Sequence, residues 1–319
     1  KGTIKRVKDA ARRCNYRPHA IARRLSIGSS EVISLFILSG SKRSSGWFIP
    51  SSWMFYNLIL KGISVTLAQH GYNLQFRILG AEDGNWQEVI AEHAMERGTD
   101  GILLLLQDRD EFSSLGRLDH LELDVPVITI NRGLFPNIGS VQVDNRQGAR
   151  DVVDYLISLG HKRIAHISGP SDSFDAEDRQ AGYLESMALA GLDVPEGYLL
   201  EGDWQMQSGH DLLRKLMALP IRPTAVFCSN DHMAVGALEA SRDMGIAVPK
   251  DVSLVGFDDS EIASVVVPRL TTVKQPLEEV GNAAAKQILG RKSHKPHMVK
   301  HTVIMPSLVK RESCARLLI

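Results

Sequence analysis

From residue 31 onward, short apolar runs alternate with helical segments, and this alternation restricts the fold more than any other feature of the chain. The runs are "VISLFIL" (32–38), "YNLQFRI" (72–78), "GILLLL" (101–106), "VPVITI" (125–130), "SVQVD" (140–144), "RIAHIS" (163–168), "TAVFC" (224–228) and "VSLVGF" (252–257). Short continuous apolar runs fit strands buried on both faces, as in a parallel sheet. Between them lie helical patterns at 57–71, 85–98, 146–160, 179–191 and 231–245, several closed by Gly, a common residue just past a helix end. Alternating strand and helix at this spacing predicts an α/β fold built on doubly wound parallel sheets. The rhythm starts at 32–38 and again at 163–168, which predicts two halves with a cleft between them. The segment 144–163 is placed as the crossing from one half to the other. A length of 319 residues is compatible with two such units at roughly 150 residues each.

In doubly wound sheets, ligands bind beyond the carboxyl ends of the strands. Those ends carry Gln107 and Asp108, Asn131 and Arg132, Gly169 to Ser171 with Arg179 at the next helix start, Ser229 to Asp231, and Asp258 with Asp259. Trp204 follows the short run "YLLEGD". Amides, carboxylates and a guanidinium can hydrogen-bond a polyhydroxylated ligand, and an indole can stack on a sugar ring. Each Asn or Asp can equally cap the following helix, and Asp231 reads more as a cap than as a ligand. The convergence of the whole set points to a binding cleft.

Several classes are disfavoured. There is no GxGxxG after a strand, no GxxxxGK[ST], no HExxH and no GxSxG, so neither a cofactor nor a metal is expected. His93, His166 and His210 show no ligand spacing, and no nucleophile–base pair is assembled. No stretch approaches the roughly 20 apolar residues of a membrane helix. Cys14, Cys228 and Cys314 are odd in number and far apart, which argues against a disulfide framework. With no signal-peptide pattern near the start, a cytoplasmic protein is expected.

The head of the chain differs from the rest. The formal net charge is zero, yet residues 1–30 hold nine lysines and arginines against one acid, Asp9. "KGTIKRVKDAARRCNY" reads as a helix with Ile4, Val7, Ala11 and Cys14 at helical spacing. "NYRP" stops it, because the residue before a proline resists helical geometry. "PHAIARRLS" can begin a second short helix with Pro18 in its first turn. There the small Ala22 lies beside Ile21 and Leu25, with Arg23 and Arg24 on other faces. So short a helix is marginal alone in water. The head is either a solvated basic linker or a nucleic-acid contact, with arginines on phosphates and an apolar tip in a minor groove.

Ordered blocks along the chain decide between these. "NYRPHAIARRL", "EGDWQMQSGHDLL", "PTAVFCSNDHMAVGAL", "DVSLVGFDDSEIA", "VPRLTTVKQPLEEVG" and "PSLVKRES" together resemble the LacI/GalR family of bacterial transcriptional repressors over essentially the whole chain. The resemblance implies two periplasmic-binding-protein-like subdomains joined by three crossovers. One takes residues 31–144 and 277–304, the other 145–276 and 305–319. Residues 1–17 would be the last helix of a truncated DNA-binding headpiece, and 18–30 the hinge helix and linker. The resemblance also implies ligand roles for Arg179, Trp204, Asn230, Asp258 and Gln275, with Asn131 and the pair Phe55 and Tyr56 on the other subdomain. In the hinge it implies DNA contacts by Ala22, Arg23 and Leu25, the last as the minor-groove wedge.

Departures from the family pattern are His19 at the hinge N-cap, Asn131 where Asp is frequent, Leu277 where some members have an aromatic, and a long loop at 39–53. The implied protein is a homodimer that binds a sugar or sugar acid in its cleft and operator DNA through paired hinges. Coupling between the two sites is typically about 1–3 kcal/mol. Arg179 and Arg132 would suit an acid sugar, whereas Trp204 with amides would suit a neutral one. Alanine at Arg179 or Asp258 is expected to abolish binding and spare folding. The competing readings are a transporter's solute-binding protein and a sugar-modifying enzyme using Asp258 or Asp231.

Overall fold

The structure, a computed structural model, describes residues 3, 6, 10, 13, 14, 29–39, 50–80, 83–96, 98–106, 109, 115, 123–133, 135–291 and 299–317, without the side chains of 39 and 50–54. The chain begins its first sheet with β1 (Val32–Ser39), α1 (Pro50–Gln69), β2 (Asn73–Gly80), α2 (Trp86–Met95), β3 (Ile102–Leu105), β4 (Val127–Ile130) and β5 (Gly139–Val143). Next come α3 (Asn145–Ser158), β6 (Ile164–Ser168), α4 (Phe174–Leu189), β7 (Leu199–Glu201), α5 (Met206–Met217), β8 (Ala225–Cys228), α6 (Asp231–Asp243), β9 (Ser253–Val255) and the short α7 (Glu261–Val265). The chain closes with β10 (Thr272–Lys274), α8 (Leu277–Gly290), β11 (His301–Ile304) and β12 (Ser307–Val309).

The first sheet has six strands in the order β11-β5-β4-β3-β1-β2, and the second has four in the order β7-β6-β8-β9. All of these pairings are parallel, for example Leu35 opposite Phe76 and Leu103, and Ile164 opposite Ala225. The small antiparallel pair β10–β12 adjoins the β9 edge of the second sheet through the bridges Val255–Thr271 and Asp258–Lys274. Three connections run between the parts. The chain leaves the first sheet through α3, returns after β10 through α8 to add β11 beside β5, and leaves again to place β12 against β10. β3, β4, β6 and β8 are buried along their whole length. That is why their sequences are unbroken apolar runs rather than alternating ones.

Each sheet carries an apolar layer on both faces. Ile33, Leu35, Leu103 and Ile128 point into one layer of the first sheet with Ile63 of α1 and Ala284 of α8. Phe36, Leu104 and Trp86 form the other. On the second sheet, Ile167 and Val226 meet Leu213 and Ala237 on one face, and Ala225 and Phe227 meet Val152 and Tyr183 on the other. Burying one such side chain contributes about 1.5–3 kcal/mol.

The helices pack at backbone distance. On α5 and α6, a Cβ at Gly209 would lie 2.0 Å from the Met233 carbonyl oxygen, and one at Gly236 would lie 1.8 Å from that of Met206. On α1 and α8, Gly62 and Gly281 face the carbonyls of Glu278 and Ile59 in the same reciprocal way.

Two expected boundaries moved. The helix predicted from 179 begins at Phe174, because Ser173 caps it through the Ala176 amide and Asp175 and Glu177 fill its acidic first turn. Arg179 therefore sits in the second turn rather than at the start. The helix predicted from 57 starts at Pro50, a residue suited to a first helical turn. Gln107, Asp108, His19, the expected DNA contacts Ala22, Arg23 and Leu25, and most of the loop 39–53 lie outside the described residues.

Candidate functional site

The site is built where strand ends of the two sheets face each other. Among the described residues, five non-glycine residues have positive φ, and four of them follow strand ends: Asn131 (97°) after β4, Trp204 (70°) after β7, and Asp258 (114°) and Asp259 (54°) after β9. Such conformations cost about 1–3 kcal/mol each and cluster at ligand sites. Asn131 is held by its amide, which donates to the Val141 carbonyl at 2.8 Å. Asn131→Gly should relieve this strain. The expected result is an unchanged or raised melting temperature with weaker ligand binding, and a large fall in melting temperature would contradict it.

An open pocket lies between the sheets. Phe55 of α1, Asn131 and Gln142 line it from the first half, and Asn145, Asp175 and Gln275 line it from the other side. Of the residues expected to bind ligand, Phe55, Asn131 and Gln275 line it, whereas Tyr56, Arg179, Trp204, Asn230 and Asp258 do not; the Tyr56 ring meets Phe55 edge-on at 5.8 Å.

Arg179 is the hub behind this pocket. It is only 3% exposed, yet every part of its guanidinium is engaged. Nε donates to Asn145 Oδ1 at 2.9 Å and Nη1 to the Ser229 carbonyl at 2.5 Å. Two carboxylates flank it, Asp258 at 3.5 Å and Asp175 at 3.8 Å. The Phe257 ring lies beneath it at 3.9 Å and the Trp204 ring at 5.6 Å. Asn145 also donates to Asp175 at 3.0 Å, and Gln275 donates to Asp258 at 2.8 Å. Burial pushes the Asp258 carboxyl up, opposed by the Arg179 charge.

Trp204 and Asn230 form a second group. The indole lies over Gly169, where a Cβ would come within 2.3 Å of the ring. Only glycine fits beneath it. Asn230 donates to the Trp204 carbonyl at 3.0 Å and accepts from the Met233 amide at 2.9 Å, so it caps α6 and holds Trp204 at once. The cap expected of Asp231 thus falls on Asn230. Asp231 is fully buried in the first turn of α6 and accepts from Thr272 Oγ1 at 2.6 Å, the Ser260 amide at 2.7 Å and Ser260 Oγ at 2.8 Å. Burial first, then the Asp258 charge, pushes its carboxyl well above the usual range. These bonds tie β10 and the loop after β9 to α6, a structural task.

One sequence expectation about a cation changes. Arg132 does not line the pocket; it donates to Glu177 and Asp178 of α4. Asn145 and Asp175, which do line it, were missed. Asn145 read as part of the crossing helix, and Asp175 lies before the predicted start of its helix. Buried His166 explains the support behind Arg179. It stacks between Tyr183 (5.0 Å) and Phe227 (4.5 Å), and its Nε2 meets the hydroxyl of Ser229 at 3.3 Å. Burial holds its pKa down to about 3, so it is neutral.

Two doubly wound sheets with a largely apolar pocket, carrying a few polar groups, at their facing strand ends define a periplasmic-binding-protein-like core, and the family model of that description, the periplasmic binding protein-like domain, matches residues 153–314. The ribose operon repressor of Escherichia coli K12 is 32% identical over 97% of this chain and 89% of its own length. The probable HTH-type transcriptional repressor ExuR of Bacillus subtilis strain 168 is 31% identical over 99% of this chain and 90% of its own. Among solved structures, a complex of the transcriptional regulator CelR with cellobiose superposes with a TM-score of 0.76 at 30% identity, covering 98% of this chain and 90% of the other. The lac repressor dimer bound to operator shares the fold, with a TM-score of 0.77 at 24% identity over 94% of this chain and 99% of the other. The chain belongs to the LacI/GalR family of transcriptional regulators. Relatives matched over nearly the full chain are repressors, which disfavours the transporter reading. Among the described residues no helix is long and apolar enough to cross a membrane.

Proposed function

We propose that the chain is the effector-binding and dimerising part of a transcriptional repressor, and that its effector is an uncharged sugar held in the cleft. The observation that carries this reading is the charge balance around Arg179. Its single positive charge faces Asp175 and Asp258, and the nearby Arg132 and Arg109 are both matched by acids on α4. A ligand carboxylate entering here would meet two acidic side chains and no unmatched arginine among the described residues. Sugar hydroxyls suit the array, because each can donate to the Asp175 carboxylate and accept from an amide of Asn131, Asn145 or Gln275. Phe55 offers a flat apolar face for a sugar ring in the pocket. The ribose operon repressor and the cellobiose complex of CelR are relatives named for neutral sugars, which supports this choice over an acid sugar.

A sugar contacting both halves favours one relative angle between them, and can bias an equilibrium only through that difference. The basic segment 1–30 would pass the change to operator DNA through paired hinges, with Ala22, Arg23 and Leu25 at the DNA. A thermal-shift series over neutral pentoses, hexoses and disaccharides tests the reading. A true effector at a hundred times its Kd should stabilise the chain by about 2.7 kcal/mol, and it should be recovered chemically unchanged. Turnover of the bound sugar, or no shift with any neutral sugar, would count against it.

A further inference from the structure

The geometry points to Arg132 as the residue that latches the cleft: a positioning residue that clamps the start of α4, and with it Asp175 and Arg179, to the half that carries Asn131. Arg132 follows Asn131 directly at the end of β4, in the first sheet. Its guanidinium crosses to the second half and spreads over two acids, Nη1 donating to Glu177 Oε2 and Nη2 to Asp178 Oδ1, both at 2.7 Å. The same guanidinium lies over the Phe174 ring at 5.3 Å. Arg132 is 29% exposed and Asp178 24%, so the pair is less open to solvent than an ordinary surface bridge.

A second segment of the first half grips the same place. Arg109 reaches Glu177 at 3.0 Å, and its backbone amide donates to the Asp172 carbonyl at 3.0 Å. Glu177 thus receives two arginines, whose hydrogen bonds hold its carboxyl below the usual range. Its place in the first turn of α4 is favourable for an acid before any arginine arrives. α4 therefore presents Asp175 and Arg179 toward the pocket and Glu177 and Asp178 toward Arg132, so the latch lies beside the pocket it closes. Two halves joined only by short connections move relative to each other unless something holds them. A fork of two charge-assisted hydrogen bonds, anchored on both sides by strand and helix ends, supplies that hold. Arg132 thereby sets how long a bound effector stays without touching it.

The test uses the full chain with no effector, so its outcome is independent of which ligand the pocket takes. Nitroxide labels at E92C on α2 and L189C on α4, in a C14S/C314S background, report the distance between the halves by pulsed electron resonance. R132A and R132E are each expected to shift the distance distribution to longer values. The triple variant R132E/E177R/D178R is expected to return it toward that of the parent. Raising salt to about 1 M, where the Debye length is about 3 Å, should lengthen the parent's distance more than that of R132A, which keeps only the Arg109–Glu177 pair across the cleft. A distribution in R132A identical to the parent's overturns the latch. So does a triple variant that stays as open as R132E, because charge pairing would then not be the cause.

Discussion

Arg179→Ala is expected to abolish effector binding and to destabilise the chain by about 3–5 kcal/mol, the usual cost of removing one partner from a buried ion pair. The sequence alone separated these effects and expected folding to survive intact. The structure joins them. Arg179 satisfies Asn145, the Ser229 carbonyl and two carboxylates in a space that is almost closed to water. Without it, Asp258 and Asp175 lose their only described cation at the pocket, and burial acts on Asp258 against the Gln275 hydrogen bond alone. That carboxyl, already raised by burial in the parent, is then raised further in the folded state of the variant. The stability deficit of the variant should therefore shrink as pH falls from the variant's higher Asp258 value to the parent's lower but still raised one, and stay level below it. Urea denaturation of both proteins at neutral and mildly acidic pH measures this. A deficit that is constant or grows on acidification would show that Arg179 does not compensate Asp258. Asp258→Asn is the variant that isolates binding, because its carbonyl oxygen can still accept from Gln275 while the charge is gone.

Gly236→Ala carries the largest purely structural effect. α5 and α6 touch backbone to backbone, and the new methyl would lie 1.8 Å from the Met206 carbonyl oxygen. A backbone atom cannot rotate away as a side-chain tip can, so the two helices must separate. Overpacking of this kind typically costs about 1–3 kcal/mol. Here the separation would also disturb the seat of Asn230, which caps α6 and holds Trp204. The expected result is a lower melting temperature together with weakened effector binding, both read by calorimetry. Full stability with normal binding would mean that the helix contact is looser than described.

The fold was largely legible in the sequence because its strands are buried on both faces. β3, β4, β6 and β8 are continuous apolar runs, and no other environment tolerates them so readily. Strand ends then gave Asn131, Arg179, Trp204, Asn230 and Asp258 without any three-dimensional information. Gln275 and Phe55 carried no local signal of their own, since a glutamine after a short strand and an aromatic in a helix have many uses; only the family resemblance singled them out. Asn145 and Asp175 were hidden for a different reason. Their roles depend on contacts with Arg179, which is 34 positions away from Asn145, and on the pocket that α4 shapes when it starts earlier than its apolar pattern suggests. Arg132 misled in the opposite direction. A cation at a strand end beside Asn131 invites assignment to the ligand, and only the position of Glu177 and Asp178 across the cleft redirects it.

A matched pair of ligands tests the uncharged-sugar reading most directly. Isothermal calorimetry should compare a neutral sugar found to stabilise the chain with its acid analogue, in which one terminal hydroxymethyl is oxidised to a carboxylate. The expected result is binding of the neutral sugar that Asp258→Asn weakens, and binding of the acid at least tenfold poorer, corresponding to about 1.4 kcal/mol. Tighter binding of the acid than of the neutral sugar would contradict the charge balance assigned to the pocket.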